Sequence, residues 1–459
     1  MTELGRASLA NHWLSLLRIG RWSSPAALML GALAVHACAP ADIRTQPLAG
    51  VDGRVVVAVA DGDFRASTYH DQILATPDPA FQDRLIVWRA GSPEPDLIPV
   101  SNSVTSPPEV LAVSPDARFA YVVERLGMRG PGRPRTSDLA SGGRLTAVPL
   151  AGDPAEGGSM VDLGANPEAI DLRADGRMVA AVSNSPSRSL IHLVPVEGGR
   201  LGTPRSFDLA TLGLTGLDPG PRGGVTATSV FWRPGSPVLA VTINTQNRVA
   251  FFRVEGSRAS PRLAAWGPPV ETGRDPFTGR FTPDGRHFLT LDWGRDLAAK
   301  TLEGRLPSIP SRISVIRVAP NGDASGTHRR LGDAPTDLSS EGIAISPDGT
   351  LVAAISMRQT ALPRTSRRYT SAASVTLFYF DGARGALTLI DRKEFPGVLP
   401  EGAAFDLSGR KLLVTSFERR AASGGGLQVY DIEGSGAAAR LLDRGMAPAP
   451  HGVHHVVIR

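Results

Sequence analysis

Glu341 stands seven residues ahead of Asp348 in a Ser-Pro-Asp-Gly turn, and the same offset from the turn equivalents Asp116, Asp175 and Ser408 lands on Glu109, Glu168 and Glu401. Two further copies, referenced on Gly235 and Asp284, carry Thr228 and Phe277 at that offset, and a split copy supplies His451. Carboxylates brought close together raise one another's pKa unless a cation or an arginine intervenes, so such a set makes either a cation site or an acid–base cluster. The plainer alternative is that each glutamate caps a backbone amide or pairs with an arginine, since structural ion-pair networks are common. Glu341, Glu401 and His451 are the candidates for catalysis. The candidate ligands for a divalent cation are Glu109, Glu168, Glu341 and Glu401, joined by Asn184 and Asn244 from the ends of the following strands. Calcium suits such an all-oxygen set, although Asn at a strand end is also a frequent turn former. His454 and His455 are adjacent, so on a strand they face opposite ways, whereas His451 and His455 share a parity. With no further histidine at the repeat position, copper or zinc is disfavoured.

The elements that must position these groups are hairpins. An apolar run, a Pro-Asp-Gly reversal and a second β-branched run describe two antiparallel strands, and copies follow at intervals of 59, 60, 49, 64 and 60 residues. Third and fourth apolar strands follow in several copies, such as residues 375–380 and 387–391. Four-stranded units at this period predict a β-propeller. The chain ends complete the count. Residues 51–60 match the second half of the hairpin and residues 450–459 the first half, so the C-terminal strand is expected to be the innermost strand of the N-terminal blade. The fold class is therefore all-β: a seven-bladed propeller of four-stranded antiparallel blades over residues 51–459, its ring closed without exposed edges.

On these turns the chain resembles the seven-bladed propellers of the YVTN and lactonase-like superfamily, whose repeat has the form Pro-x-Gly-hydrophobic-Ala-hydrophobic-Ser-Pro-Asp-Gly. The resemblance implies that the strand before Pro-Asp-Gly lines a central channel. It also implies two precedents: gluconolactonase-type propellers with a central divalent metal held by Glu, Asn and Asp, and lactonase-type propellers using channel His and Arg without metal. One propeller scaffold carries many unrelated activities, so the motif speaks for fold and not for function.

Alternating chain direction puts the loops between second and third strands on the face where the inner strand begins. Those loops carry Arg125, Arg129, Arg133 and Arg135 in one blade, Arg358, Arg364, Arg367 and Arg368 in another, and Arg419 and Arg420 in a third. Guanidinium groups bind carboxylate or phosphate bidentately, so Arg125, Arg358, Arg364, Arg367, Arg368 and Arg419 are candidate anion ligands. They could equally be solvated or paired with the glutamates.

Residues 1–38 read as a leader: Arg18 and Arg21 precede an apolar stretch, Ala26 to Val35, too short to span a membrane. Val35-His36-Ala37-Cys38 resembles a bacterial lipobox, which would lipidate Cys38; an ordinary signal peptide cleaved near Ala37 or Ala39 is the other reading. Residues 39–50 form a tether. Cys38 is the only cysteine, which excludes an intramolecular disulfide. The expected location is the periplasm or outer membrane as a lipoprotein, with membrane contact only through the anchor, and otherwise the protein is expected to be secreted. A net charge of +5 over 459 residues, without a block of like charges, does not point to nucleic acid.

Two functions follow. The first is a monomeric binding or scaffold protein that recognises an anionic small molecule, an envelope polymer or a protein through its loop-rich face. The alternative is a lactonase-like or metal-assisted ester hydrolase working in the channel. No Gly-x-Ser-x-Gly elbow, His-Glu-x-x-His or Walker loop offers other chemistry.

Overall fold

The computed structural model describes residues 47–459 apart from 80, 93, 106, 153–156, 215–223 and 421. The leader, Cys38 and most of the tether lie outside the described residues. Among those described, no helix is long and apolar enough to cross a membrane.

Each Pro-Asp-Gly copy folds as a self-contained turn. Ser346 Oγ donates to Asp348 Oδ1 (2.5 Å), which also accepts from Thr350 N (3.0 Å), while Gly349 N closes on Ser346 O (2.8 Å). Ser114 with Asp116 and Thr282 with Asp284 repeat the pattern. Such short polar side chains bond their own backbone and so specify a reversal locally. Gly349 sits at φ +75°, and a Cβ there would lie 3.2 Å from Pro283 Cδ of the preceding blade. Gly349→Ala is expected to lower stability by about 1–2 kcal/mol, measured as a shift in the urea midpoint, because an L side chain is strained in the left-handed region.

Between turns the strands of the described residues pair into seven antiparallel blades, numbered here 1 to 7 in chain order, and one extra two-stranded pairing of Gly397–Val398 with Glu418–Arg419. The inner strands of blades 2 to 7 are Leu111–Val113, Pro167–Leu172, Ala227–Trp232, Pro276–Phe281, Ser340–Ile345 and Ala403–Phe405. Blade 1 has the order Asp96–Pro99, Arg84–Arg89, Val55–Ala60, Val453–Ile458, so the C-terminal strand is its innermost member. The expected closure is thus present. Asp52 N also donates to Asp406 Oδ2 of blade 7 (3.0 Å), tying the two turns across the join. Apolar clusters fill the spaces between neighbouring blades, for instance Val56, Ala58, Leu413, Val429, Val456 and Ile458 between blades 7 and 1.

A β-bulge recurs at the start of the inner strand. The register shifts at Glu168, Thr228, Phe277 and Glu341, and in blade 1 at His454. A bulge inserts one residue and re-aims its side chain, which accounts for a repeat position whose residue type matters. It also corrects the register of the split copy. Arg459 and Val55 exchange backbone hydrogen bonds, and Ser346 N bonds Leu351 O in the same relation in blade 6. Counting back five residues from each gives His454 opposite Glu341. His454, not His451, therefore holds the ring position.

Candidate functional site: the central channel

The four ring glutamates fall into two environments. Glu109 is buried, and its carboxylate takes a two-pronged contact from Arg280 on the inner strand of blade 5: Nη1 to Oε1 at 2.7 Å and Nη2 to Oε2 at 2.8 Å. Thr278 Oγ1 donates to the same carboxylate (2.9 Å). Burial alone would raise this carboxyl, but Arg280 and the hydrogen bonds hold it below the ordinary range. Glu168 accepts from Arg125 Nε (2.8 Å) and Asn184 Nδ2 (3.1 Å).

Glu341 and Glu401 are different. They are 2% and 1% exposed, and Glu341 Oε1 and Glu401 Oε2 have no hydrogen-bond partner. Burial pushes both carboxyls upward, and the Glu341 charge pushes Glu401 further. Arg295 draws Glu341 back only in part, because its fork is spent on Asp275 (2.7 and 3.1 Å). Tyr69 Oη donates to Glu401 Oε1 (3.1 Å). His454 Nε2 donates to Asn102 Oδ1 (2.9 Å), and its Nδ1 lies 3.9 Å from Glu401 Oε2. Burial lowers this imidazole to about 3, so the approach is not an ion pair at neutral pH.

These residues are covered. Residues 61–79 fold over the loop-face end of the ring as a strap, and Phe64, Val104, Phe277, Trp293, Leu399 and Phe417 form an apolar plug there. His451 belongs to the strap's anchorage: its Nε2 lies 2.6 Å from Phe64 O and its ring stacks on Phe81 with centroids 4.1 Å apart. The expected open throat of four glutamates and His451 is thus two ion-paired glutamates and a sealed neutral pair, with His451 in the wall of the seal.

Because Glu341 keeps its proton in the folded state beyond the pH at which the unfolded chain loses it, its contribution to stability falls as pH rises from about 4.5 through its raised value. Glu341→Gln removes that loss. The two proteins are expected to melt together at pH 5 and to separate by several degrees at pH 8.5, with the variant the more stable; calorimetry at the two pH values checks this.

The cation candidates do not converge. Asn184 Oδ1 accepts from Ser189 Oγ and Ala227 N, and Asn244 Nδ2 donates to Asp275. Glu109 and Glu168 are held by arginines. Partners thus occupy oxygens of Glu109, Glu168 and Asn184, whereas Glu341 Oε1, Glu401 Oε2 and Asn244 Oδ1 have none; among the described residues no group of three or more His, Cys, Asp or Glu is arranged to hold a metal.

The arginine rim divides likewise. Arg125 holds Glu168, Arg358 meets Glu394 and Asp337, and Arg368 donates to the carbonyls of Leu306 and Pro307. Arg364 and Arg367 are exposed. Arg364 and Arg419 line a loop-face groove of about 370 Å³ with Arg420, His70 and Tyr369.

The opposite, turn-face end of the channel is open. A cavity of about 360 Å³ reaches the inner strands of all seven blades, and Glu109, Arg280, Asp171, His455 and Arg459 bring charge or polarity to its wall. Arg280, about a quarter exposed, is held flat by Glu109 and lies 4.9 Å over the Phe231 ring. Asp171 Oδ2 accepts from Trp232 N (2.7 Å), and desolvation pushes its carboxyl up to about 7 against the pull of Arg280. His455 Nδ1 accepts from Leu111 N (3.3 Å), leaving the proton on Nε2, which faces Glu109 Oε2 at 3.7 Å; burial keeps this ring neutral, lowered to about 4. An arginine, a carboxyl poised near neutrality and a neutral imidazole around one cavity can orient an anionic or carbonyl oxygen and move a proton.

Asp171 and Arg280 went unnoticed in the sequence although a signal was there. Both stand three residues after the ring position, where the other copies carry Ala112, Phe231, Ala344, Ala404 and Val457. A charge among small and apolar residues in that column marks the lumen.

The fold and this channel define a seven-bladed β-propeller with a split blade. Neither a family model nor a curated protein sequence matches the chain. Solved structures do. The Pseudomonas aeruginosa periplasmic gluconolactonase PpgL aligns over 88% of this chain and 99% of its own at TM-score 0.57 and 19% identity. A Bacteroides uniformis protein assigned as a 6-phosphogluconolactonase aligns over 89% and 100% at 0.58 and 14%. A protein of unknown function from Desulfotomaculum acetoxidans aligns over 88% and 98% at 0.57 and 13%. At these identities the likeness is one of fold.

Proposed function

We propose that the protein is an exported hydrolase of a small lactone or related ester, acting at the open turn-face end of the channel. The observation that carries this reading is Arg280, fixed by Glu109 and Phe231 beside an Asp171 carboxyl raised to about 7 in the same cavity wall. In this reading Asp171, as carboxylate, takes a proton from water as the water oxygen bonds to the carbonyl carbon. Arg280 faces the oxyanion that forms, and the proton passes from Asp171 to the ring oxygen as its bond to the carbonyl carbon breaks. The product is a hydroxy acid whose carboxylate stays opposite Arg280. A base with pKa near the working pH is the effective choice. Two structural neighbours, the periplasmic gluconolactonase and the protein assigned as a 6-phosphogluconolactonase, support the class, and the expected leader together with the periplasmic neighbour supports export.

Acid release from a panel of five- and six-membered lactones tests it. Wild type should turn over at least one, and Asp171→Asn should lower kcat about 10²-fold or more; no turnover across the panel would refute the reading. The second reading, capture of an anion by the loop-face groove, is favoured by the exposure of Arg364 beside Arg419 and His70. It predicts ligand capture that Arg364→Ala weakens and Asp171→Asn leaves intact.

A further inference from the structure

The first residue of the second strand is apolar in five blades: Val55, Phe119, Met178, Val238 and Leu351. Blade 7 places Lys411 there, paired with Asp431. Blade 5 places His287, 2% exposed, and neither of its ring nitrogens has a hydrogen-bond partner. A buried polar group left unsatisfied costs about 1–3 kcal/mol. The imidazole packs edge-on against Phe380, with ring centroids 5.3 Å apart, but the neighbouring blades show that the position accepts an aliphatic side chain, so packing alone does not call for two buried ring nitrogens.

His287 lies in the wall of a cleft of about 470 Å³ on the turn face, between blade 5, the turn of blade 4 and the Gly382–Ala383 turn of blade 6. Three guanidiniums share that wall. Arg233, 7% exposed, is fixed by Gly285 O (2.8 Å), Ala319 O (3.0 Å) and Asn321 Oδ1 (2.9 Å). Arg317 is anchored through Nη2 to Ala383 O (3.1 Å), and Arg286 stands at the rim. The carboxylates close by are already engaged: Asp284 with Arg286 (2.5 Å) and Asp381 with Arg384 (2.7 Å). Arg233 and Arg317 therefore leave a surplus of two positive charges held by neutral carbonyl and amide partners, with an imidazole N–H beside them. Burial and the neighbouring Arg317 keep that imidazole below its ordinary pKa, so at neutral pH it offers one donor and one acceptor.

We propose that this cleft is a binding site for a tetrahedral dianion, free phosphate or the terminal group of a phosphomonoester, with His287 donating from the wall and Arg233 and Arg317 supplying the unpaired charge. Planar guanidiniums and a fixed N–H donor match phosphate oxygens, and charge-assisted bonds of this kind are about twice as strong as neutral ones. The site is separate from the channel, and the proposal does not depend on the hydrolase reading.

Calorimetric titration of the full chain with inorganic phosphate, glycerol phosphate and acetate tests it. His287→Leu copies the residue that blade 6 carries and is expected to fold at least as stably as wild type without ligand. Saturable phosphate binding should weaken about tenfold or more in His287→Leu and in Arg317→Ala, with lactone turnover unchanged. Tighter binding of glycerol phosphate than of phosphate would assign the site to a phosphomonoester, and equal or weaker binding to the free ion. Absence of saturable binding, unchanged affinity in His287→Leu, or acetate binding as tightly as phosphate would each overturn the proposal.

Discussion

Arg280→Ala is expected to cost about 3 kcal/mol of stability and, in the hydrolase reading, all measurable turnover. The Glu109 side chain is only 5% exposed, and its charge is balanced by the Arg280 fork. Removing one partner of a buried pair leaves the other charge uncompensated, which typically costs 3–5 kcal/mol. The value sits at the low end here because the channel admits water on the side of Arg280. The Arg280→Ala, Glu109→Gln double variant separates the two roles: it should recover most of the stability, since no orphan charge remains, and none of the turnover. Urea denaturation of wild type and the two variants checks the first part and lactone hydrolysis the second. A loss below about 1 kcal/mol in Arg280→Ala would mean that the pair is hydrated and does not organise the channel.

Truncation after Gly452 is expected to abolish cooperative folding. The lost strand pairs along Val56–Ala60 and buries Val453, Val456 and Ile458, each less than 5% exposed. At about 1.5–3 kcal/mol for each buried aliphatic side chain, the loss is on the order of the whole net stability of a folded domain, about 5–15 kcal/mol. It would also leave Val55–Ala60 with an open edge, a template for association. Supplying residues 450–459 as a peptide should restore part of the native circular dichroism signal. A truncated chain that melts sharply as a monomer would contradict the closure.

The fold was legible in the sequence because its determinants are local. Asp348, Asp284 and Asp116 each bond residues within two positions, so the turn writes itself into consecutive letters. The split copy was legible as a closure but misregistered by three residues. His451-Gly452 mimics Glu341-Gly342 and Glu401-Gly402, while the turn equivalent to count back from, Asp52-Gly53, lies about 400 residues away. Gly452 serves a different end: at φ +88°, a Cβ there would collide with Asp61 O.

The site was legible only as a column of glutamates. Which of them would carry charge depends on partners far away in sequence; Glu109 and Arg280 are separated by 171 residues and meet only when the ring forms. The covering strap was illegible for a related reason. Nothing in the composition of residues 61–79 says that Tyr69 reaches Glu401 or that Phe64 meets His451. The arginine rim was visible as composition, yet most of its members proved to be internal cement that binds carbonyls and carboxylates of neighbouring loops.

The central claim is that chemistry belongs to the open turn-face end of the channel and not to the sealed glutamates of the loop face. Its most direct test is kcat/KM for a turned-over lactone, measured against pH for Asp171→Asn and Glu341→Gln side by side. Wild type and Glu341→Gln should share an ascending limb near pH 7, whereas Asp171→Asn should lose both the limb and at least about 10²-fold in rate. Full activity in Asp171→Asn together with loss in Glu341→Gln would contradict the account.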